Sequence, residues 1–209
     1  MNSSNLLQNQ HLLWRAGFGP LAEEADQLEH ASPRDYVNAL FKASSKSPQY
    51  IDVADSAFKG LMMGMQEAGR QQKPALDNDQ KKRLRQQSRE DIKSLNLAWL
   101  AEMKGSDQQL REKMALFWHG HFASRNLNIL YQQQLLHIIR TNALGNFGDL
   151  LRAVSKSASM INFLNNNQNR KDHPNENFAR EVMELFTMGR GHYTEEDIKE
   201  GARAFTGWG

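Results

Sequence analysis

Apolar residues recur at helical spacing through most of the chain, and no segment shows the strict alternation of a half-buried β-strand. This periodicity restricts the fold to packed helices. Boundary signals agree with it. Ser32 and Pro33 place a capping residue before a proline at a first helical position. Thr194 and Asp197 have the spacing of a capping box. We therefore predict an all-α, multi-helix bundle.

The remaining helix boundaries follow from glycine, proline and polar turns. The 209 residues are enough to bury ~70% of the surface of the unfolded chain, so we expect one helical domain over 1–209. Gly189 is expected just past the end of one helix, where glycine often terminates helices. Besides those starting at Pro33 and Thr194, helices are predicted over 5–17, 20–30, 79–103, 107–119, 128–143, 146–157, 158–164 and 174–188.

The interval 42–93 differs from the rest in being rich in Gly, Gln and charge. We interpret it as a solvated basic arm or an insertion. A nucleic-acid interface is the alternative, and it is disfavoured because aromatic residues that could stack on bases are missing from the cluster. The net charge of +2 gives no general attraction to polyanions, so we expect no nucleic-acid partner. The clustered cations are Lys81, Lys82, Arg83, Arg85 and Arg89.

Composition excludes several classes of site. The chain has no cysteine, which rules out disulfides, thiolate catalysis, cysteine-ligated zinc and iron–sulfur clusters. No apolar run approaches the ~20 residues of a membrane span, and the start lacks the pattern of a secretory signal. The compartment therefore stays open. The chain stops directly after "AFTGW", which predicts a truncated lobe whose remaining part follows.

Two histidines flank one glycine in "ALFWHGHFAS". At 100° per residue, His121 shares an arc with Leu110, Met114, Phe117 and Trp118, whereas His119 lies 200° away on the far side. The two rings therefore cannot bind one ion on an unbroken helix. We predict that this helix ends at or just past His119 and Gly120.

His121 is predicted to face inward, close to the 174–188 helix. A buried imidazole needs a polar partner, and Glu176 is the first choice because it lies near a helix N-terminus. A structural role for this histidine is favoured over a metal or catalytic one, because buried polar groups usually serve structural partners.

The 174–188 helix divides into an apolar and a polar arc. The predicted buried residues are Phe178, Ala179, Val182, Met183, Leu185 and Phe186. Glu176, Arg180 and Glu184 follow one another at intervals of four on the polar arc. Such a series is either a solvated ion ladder or one wall of a polar site.

A polar site assembled from these segments is the enzyme hypothesis. Its candidate catalytic residues are His119, His121, Glu176, Arg180, Glu184 and His192. A divalent Zn, Fe or Mn ion is the cofactor alternative, and its candidate ligands are His119, His121, His192 and Glu176. The helical signatures Glu-x-x-His and His-x-x-x-His are absent, and Arg180 would oppose a cation, so no cofactor is expected.

The asparagine-rich stretch "NFLNNNQNRKDHPNENF" (162–178) is predicted to be a loop. Its asparagines are expected to adopt turn conformations and to cap the following helix, which are their routine roles. The alternative is that backbone N–H groups and amides before a helix N-terminus bind an anion or a sugar.

Four stretches together resemble a large bacterial family, the domain-of-unknown-function family 1800. They are "HLLWRAGFGP", "LREKMALFWHGHFAS", "RTNALGNFGDLLRAVS" and the segment 167–208. The resemblance spans nearly the whole chain and is weakest over 42–93. Its polar positions in this chain are His11, Arg15, His119, His121, Asn175, Glu176, Arg180, Glu184, His192, Tyr193 and Thr206.

The resemblance implies a mostly helical protein that is longer than this chain. Members often accompany an exported, sulfatase-like protein, and some carry export signals. The family has no settled activity, so it supplies no catalytic residues. The expected function is a binding or assembly module that acts with the sulfatase-like companion. The alternative is an enzyme whose His/Glu/Arg site performs metal-assisted hydrolysis.

Overall fold

The computed structural model describes residues 3–20, 25–55, 59 and 77–208. Within these residues the chain forms ten α-helices and no strand, so the all-α prediction is confirmed. The helices are α1 Ser3–Ala16, α2 Ala25–His30, α3 Pro33–Ala43, α4 Asn78–Gly105, α5 Gln109–His121, α6 Ile129–Asn142, α7 Phe147–Ser155, α8 Ala158–Phe163, α9 Asn177–Glu181 and α10 Glu195–Ala204.

The predicted caps are present. The Ser32 side chain accepts a hydrogen bond from the Asp35 amide, with Pro33 at the first position of α3. Thr194 and Asp197 form the capping box of α10. These bonds satisfy amide groups that have no partner within the helix, which fixes where each helix begins. Gly189 follows the predicted helix end with a φ of 76°, a conformation that glycine adopts without strain.

The main core lies where α4, α5, α6 and α7 meet. Trp99 of α4, Phe122 after α5 and Ile139 of α6 are buried in one continuous cluster with Leu150 of α7. A smaller cluster joins α1, α2 and α3 through Leu13, Leu28 and Leu40. A third joins α9 to α10 through Ala179, Ile198 and Ala202. Among the described helices, none is long and apolar enough to cross a bilayer.

The described ends of the interval 42–93 lie against the core. Ile51 and Val53 pack on the main cluster, and so do Leu84 and Ile92 of α4. Lys81 lies in α4, but its side chain is outside the described part of the structure, as are residues 60–76. The four residues 21–24 of the predicted helix 20–30 also lie outside it.

In place of the single helix predicted over 174–188, the chain forms an α-helix followed directly by a π-helical turn. α9 ends at Glu181, and Val182–Thr187 forms a π-helical turn in which the amide of Met188 donates to the carbonyl of Met183. A π turn holds more residues than an α turn, so it rotates the following side chains. Leu185, predicted to be buried, is therefore 58% exposed, whereas Phe186 is buried as predicted.

Candidate functional site

The helix that carries the two histidines ends as predicted. α5 runs through Gly120 and ends at His121, so the backbone between the histidines is helical. His119 and His121 therefore point to different sides of α5, 200° apart. The two imidazoles cannot coordinate the same metal ion in this arrangement.

His121 lies against the 174–188 segment, as predicted, but Glu176 is not its partner. The half-buried ring donates from Nε2 to the carbonyl oxygen of Phe186, at 3.1 Å. Glu176 accepts a hydrogen bond from Arg180 instead, at 3.1 Å. The π turn supplies the backbone carbonyl that meets the imidazole, whereas Glu176 lies before α9 and pairs with Arg180.

His119 lies on the opposite side of α5 from His121, as the helical wheel predicts, and that side faces the core. Its ring packs on Trp99 of the core at 5.1 Å between centroids. Burial lowers the pKa of His119 below its ordinary value, because desolvation disfavours the charged imidazolium. The buried face of α5 is centred on Glu112 and Ala115, not on the arc of Phe117, which is 59% exposed.

Four touching rings form an aromatic patch, here defined as Phe117, Trp118, His121 and Phe147, of which Phe117 and Phe147 are exposed and the other two are half-buried. Trp118 contacts Phe117 at 4.9 Å, His121 at 5.7 Å and Phe147 at 5.6 Å between ring centroids. Phe147 is 39% exposed, at the start of α7. The patch is therefore a continuous aromatic surface with one polar ring in it.

A charged corner forms around Arg180 and Glu184 and the four residues that bind them. It is here defined as Glu176, Arg180, Glu184, Arg190, Tyr193 and Glu195. Arg180 donates to both oxygens of Glu195, at 2.9 and 2.8 Å. Glu184 accepts from Arg190 and, at 3.0 Å, from the Tyr193 hydroxyl. The predicted ladder is thus half formed, because Glu184 pairs across the corner and not with Arg180.

These bonds set the ionisation of the corner. The hydrogen bond from Arg190, and then that from Tyr193, lowers the pKa of Glu184. Desolvation, followed by the bond to Glu184, raises the pKa of Tyr193. The hydrogen bond with Glu195 raises the pKa of Arg180. The carboxylates of Glu184 and Glu195, whose pKa values are both lowered, are therefore held charged against arginines, an arrangement that weakens them as cation ligands.

His192 is exposed after Gly191 and shares no contact with His119 or His121. No group of three His, Asp or Glu side chains in the described part of the chain lies close enough together to hold a metal ion. Five of the six candidate residues are thus spread over three places, the core face of α5, the aromatic patch and the charged corner, and His192 belongs to none of them.

Sequence reasoning missed a buried polar cluster, here called the buried clamp: Arg111, Glu112, Gln133 and Arg140. Arg140 donates from Nε to both oxygens of Glu112 at 3.0 Å. Trp99 donates to the same carboxylate at 2.9 Å. Both charged side chains are completely buried, so each is stabilised by the other and by several hydrogen bonds.

The buried clamp holds the non-helical segment 44–53 on the helices. Arg111 donates to the Ser44 carbonyl, and Arg140 donates to the Gln49 carbonyl at 2.6 Å. Gln133 accepts from the Val53 amide at 2.8 Å. One available signal was the sequence "LLHIIRTN", where an arginine sits inside an apolar helical run and must find a buried partner.

Two asparagines of the 162–178 loop are also buried and structural. Asn169 donates to the Ala202 carbonyl at 2.8 Å, and Asn166 donates to the Trp208 carbonyl at 3.2 Å. Both bonds attach the end of α10 to the loop. Asn165 has a φ of 58°, the turn conformation predicted for such residues, whereas Asn166–Gln168 form a short 3-10 helix inside the predicted loop.

Comparison with known proteins gives one match. A family model described as "Protein of unknown function (DUF1800)" matches residues 11–209. No curated protein and no solved structure matches this chain. The match covers nearly the whole chain, including the aromatic patch, the charged corner and the buried clamp, and the chain belongs to the DUF1800 family.

Proposed function

We propose that this chain is a binding module that docks a protein partner through the aromatic patch. The observation that carries the proposal is the exposure of Phe117 and Phe147, 59% and 39%, in one set of touching rings. Contiguous exposed aromatic surface is typical of interaction sites, since tyrosine, tryptophan and phenylalanine are enriched in interface cores.

The polar candidates support binding over catalysis. His121 is held by the Phe186 carbonyl, and Arg180 is held by two carboxylates. A catalytic group needs a free polar atom directed at substrate, and its partners must converge around one cleft. In this chain His121 and Arg180 are each held by protein partners, and the six candidates do not converge around one cleft. The bond from His121 fixes the π turn beside the patch.

The partner that we propose is the exported, sulfatase-like companion implied by the family resemblance. Its docking surface would be apolar at the centre, to match the patch, and polar at the rim. Affinity would come chiefly from Phe117 and Phe147, because large side chains buried at an interface centre carry most of the binding energy.

Isothermal titration of the purified companion into this chain tests the proposal. The variant Phe117→Ser with Phe147→Ser should weaken binding about tenfold or more. The matched control is Phe41→Ser with Phe163→Ser, whose rings are 59% and 40% exposed on other helices. The control should bind like the unmodified chain. Equal losses in both double variants, or no binding by the unmodified chain, would overturn the proposal.

The enzyme alternative makes a different prediction about metal. Protein stripped with a chelator and then offered Zn, Fe or Mn would retain one equivalent per chain, and His121→Ala or His192→Ala would abolish retention. Under the binding proposal, retention is not stoichiometric and the two variants do not change it. Elemental analysis of the repurified protein distinguishes the two functions.

A further inference from the structure

Three cations of α4 form a basic stripe, here defined as Lys82, Arg85 and Arg89. Spacings of three and four residues place them on one face of the helix, and all three are exposed. They line a surface cleft together with the amide side chains of Asn78 and Gln86. The face is therefore a row of positive charge with amide groups interspersed.

The cations of the stripe are unpaired. Two exposed arginines elsewhere do pair locally: Arg152 pairs with Asp149, and Arg203 pairs with Glu200. No ion pair, hydrogen bond or ring contact involves the three side chains of the stripe within the part of the chain that the structure describes. Like charges at such spacing destabilise a helix, so the stripe costs stability until an anion neutralises it.

We propose that the basic stripe binds a linear acidic polysaccharide, with Arg85 and Arg89 pairing to its sulfate or carboxylate groups. Guanidinium groups bind such planar or tetrahedral anions through paired hydrogen bonds. Asn78 and Gln86 supply amide donors and acceptors for the sugar hydroxyls beside them. From Lys82 to Arg89 the helix rises about 10 Å, enough to span consecutive charged sugar units.

Two other polyanions fit less well. A single-stranded nucleic acid gains much of its affinity by stacking bases on aromatic side chains, and none of the described residues that line the cleft is aromatic. A membrane-surface helix buries an apolar face in the lipid boundary. The apolar face of α4, which carries Leu95 and Trp99, is already buried in the core.

Microscale thermophoresis of the whole chain tests the proposal with dextran sulfate, polygalacturonate and neutral dextran of matched length. The first two distinguish sulfate from carboxylate as the recognised group. We expect one of them to bind at least about tenfold more tightly than neutral dextran, with affinity falling as salt rises, because binding releases counterions.

The decisive variant is the triple substitution Lys82→Gln, Arg85→Gln and Arg89→Gln. It should weaken binding about tenfold or more. It should also make the affinity less dependent on salt, because a variant that makes fewer ionic contacts releases fewer counterions on binding. The charge-matched control replaces three cations that are exposed and unpaired but dispersed: R34Q, K42Q and K171Q. The control should retain binding, which separates a local site from an effect of net charge.

Circular dichroism and the melting temperature of both triple variants show whether each is folded, and we expect no change because all six side chains are exposed. Equal losses in the two triple variants would overturn the proposal. So would absence of binding to both acidic polysaccharides. Tighter binding to a single-stranded oligodeoxynucleotide, or to phosphatidylserine vesicles, at the same anion concentration would also overturn it.

Discussion

The buried clamp and the charged corner are built from the same two side-chain types in opposite surroundings. In the clamp, Arg140 and Glu112 are excluded from water and share several hydrogen bonds. In the corner, Arg180 is one-third exposed and its partner Glu195 more than two-thirds exposed. Water can therefore replace either partner in the corner, and it cannot in the clamp.

Residue type alone therefore does not determine how much an ion pair contributes to stability; its burial does. A buried ion pair need not stabilise a fold relative to an apolar substitute, but the loss of one partner leaves an uncompensated charge in the core. An exposed pair contributes little, because solvent screens the attraction and the side chains lose freedom. The clamp is therefore the place where single substitutions should be most damaging, although the corner is more conspicuous in the sequence.

The largest effect is expected from Arg140→Met. It strands the Glu112 carboxylate in the core and removes the donor to the Gln49 carbonyl. We expect a loss of about 3–5 kcal/mol in the free energy of unfolding, measured by urea denaturation.

The double variant Arg140→Met with Glu112→Leu is the control, because it removes both charges and should recover part of that loss. A loss below about 1 kcal/mol for Arg140→Met alone would show that the clamp behaves like a surface pair.

The helical elements could be predicted because their signals are local. The caps at Ser32 and Thr194, for example, depend on side chains only three residues from the amides they bind. The clamp could not be predicted, since Arg140 meets Gln49 across 91 residues of sequence. The π turn was also missed; it contains the exposed Leu185 and supplies the carbonyl of Phe186 to His121.

Contacts between distant parts of the chain also explain why the candidate site residues do not come together. Polar residues in the resembling stretches were expected to converge, but His119 packs on the core and Arg180 pairs at the surface. A helical wheel assigns the direction of a side chain relative to its own helix and says nothing about which face a neighbouring helix covers. On α5 that neighbour is α4, and Trp99 covers the side of His119.

His121→Ala tests a side chain whose burial is intermediate between that of the clamp and that of the corner, since its ring is half-buried. The substitution leaves the Phe186 carbonyl without its donor, and we expect a loss of about 1–3 kcal/mol in the free energy of unfolding. The control is His192→Ala, because that ring is exposed. Equal urea midpoints for the two variants would mean that the His121 bond contributes nothing to stability.

The core face of α5, which carries both Glu112 of the clamp and His119, and the charged corner should also differ in their response to pH. Burial lowers the pKa of His119 below 6.5, so the unfolded chain binds more protons than the folded chain just below pH 6.5. This stability is complete above pH 6.5 and is lost as the pH falls towards the folded pKa. Glu184 has a pKa below 4.5, so the corner loses stability only as the pH falls below that value.

Urea midpoints measured between pH 7.5 and pH 5.5 should therefore fall with acidification, and His119→Gln should reduce the slope. His137, whose pKa is also lowered by burial, accounts for the slope that remains. Glu184→Gln should leave the slope in this window unchanged. An unaltered slope in His119→Gln would contradict the assignment of this pH dependence to the core face of α5.

The smallest effect is expected from Arg180→Ala, which removes the central cation of the charged corner. Glu176 and Glu195 then return to water, where hydration replaces the ion pairs at little cost. The urea midpoint of this variant should be indistinguishable from that of the unmodified chain at physiological salt. Arg152→Ala, which breaks an exposed pair on α7, gives the reference for an ordinary surface site. A loss for Arg180→Ala that approaches that of Arg140→Met would mean that the corner, like the clamp, fixes the fold, because its bonds join α9 to α10.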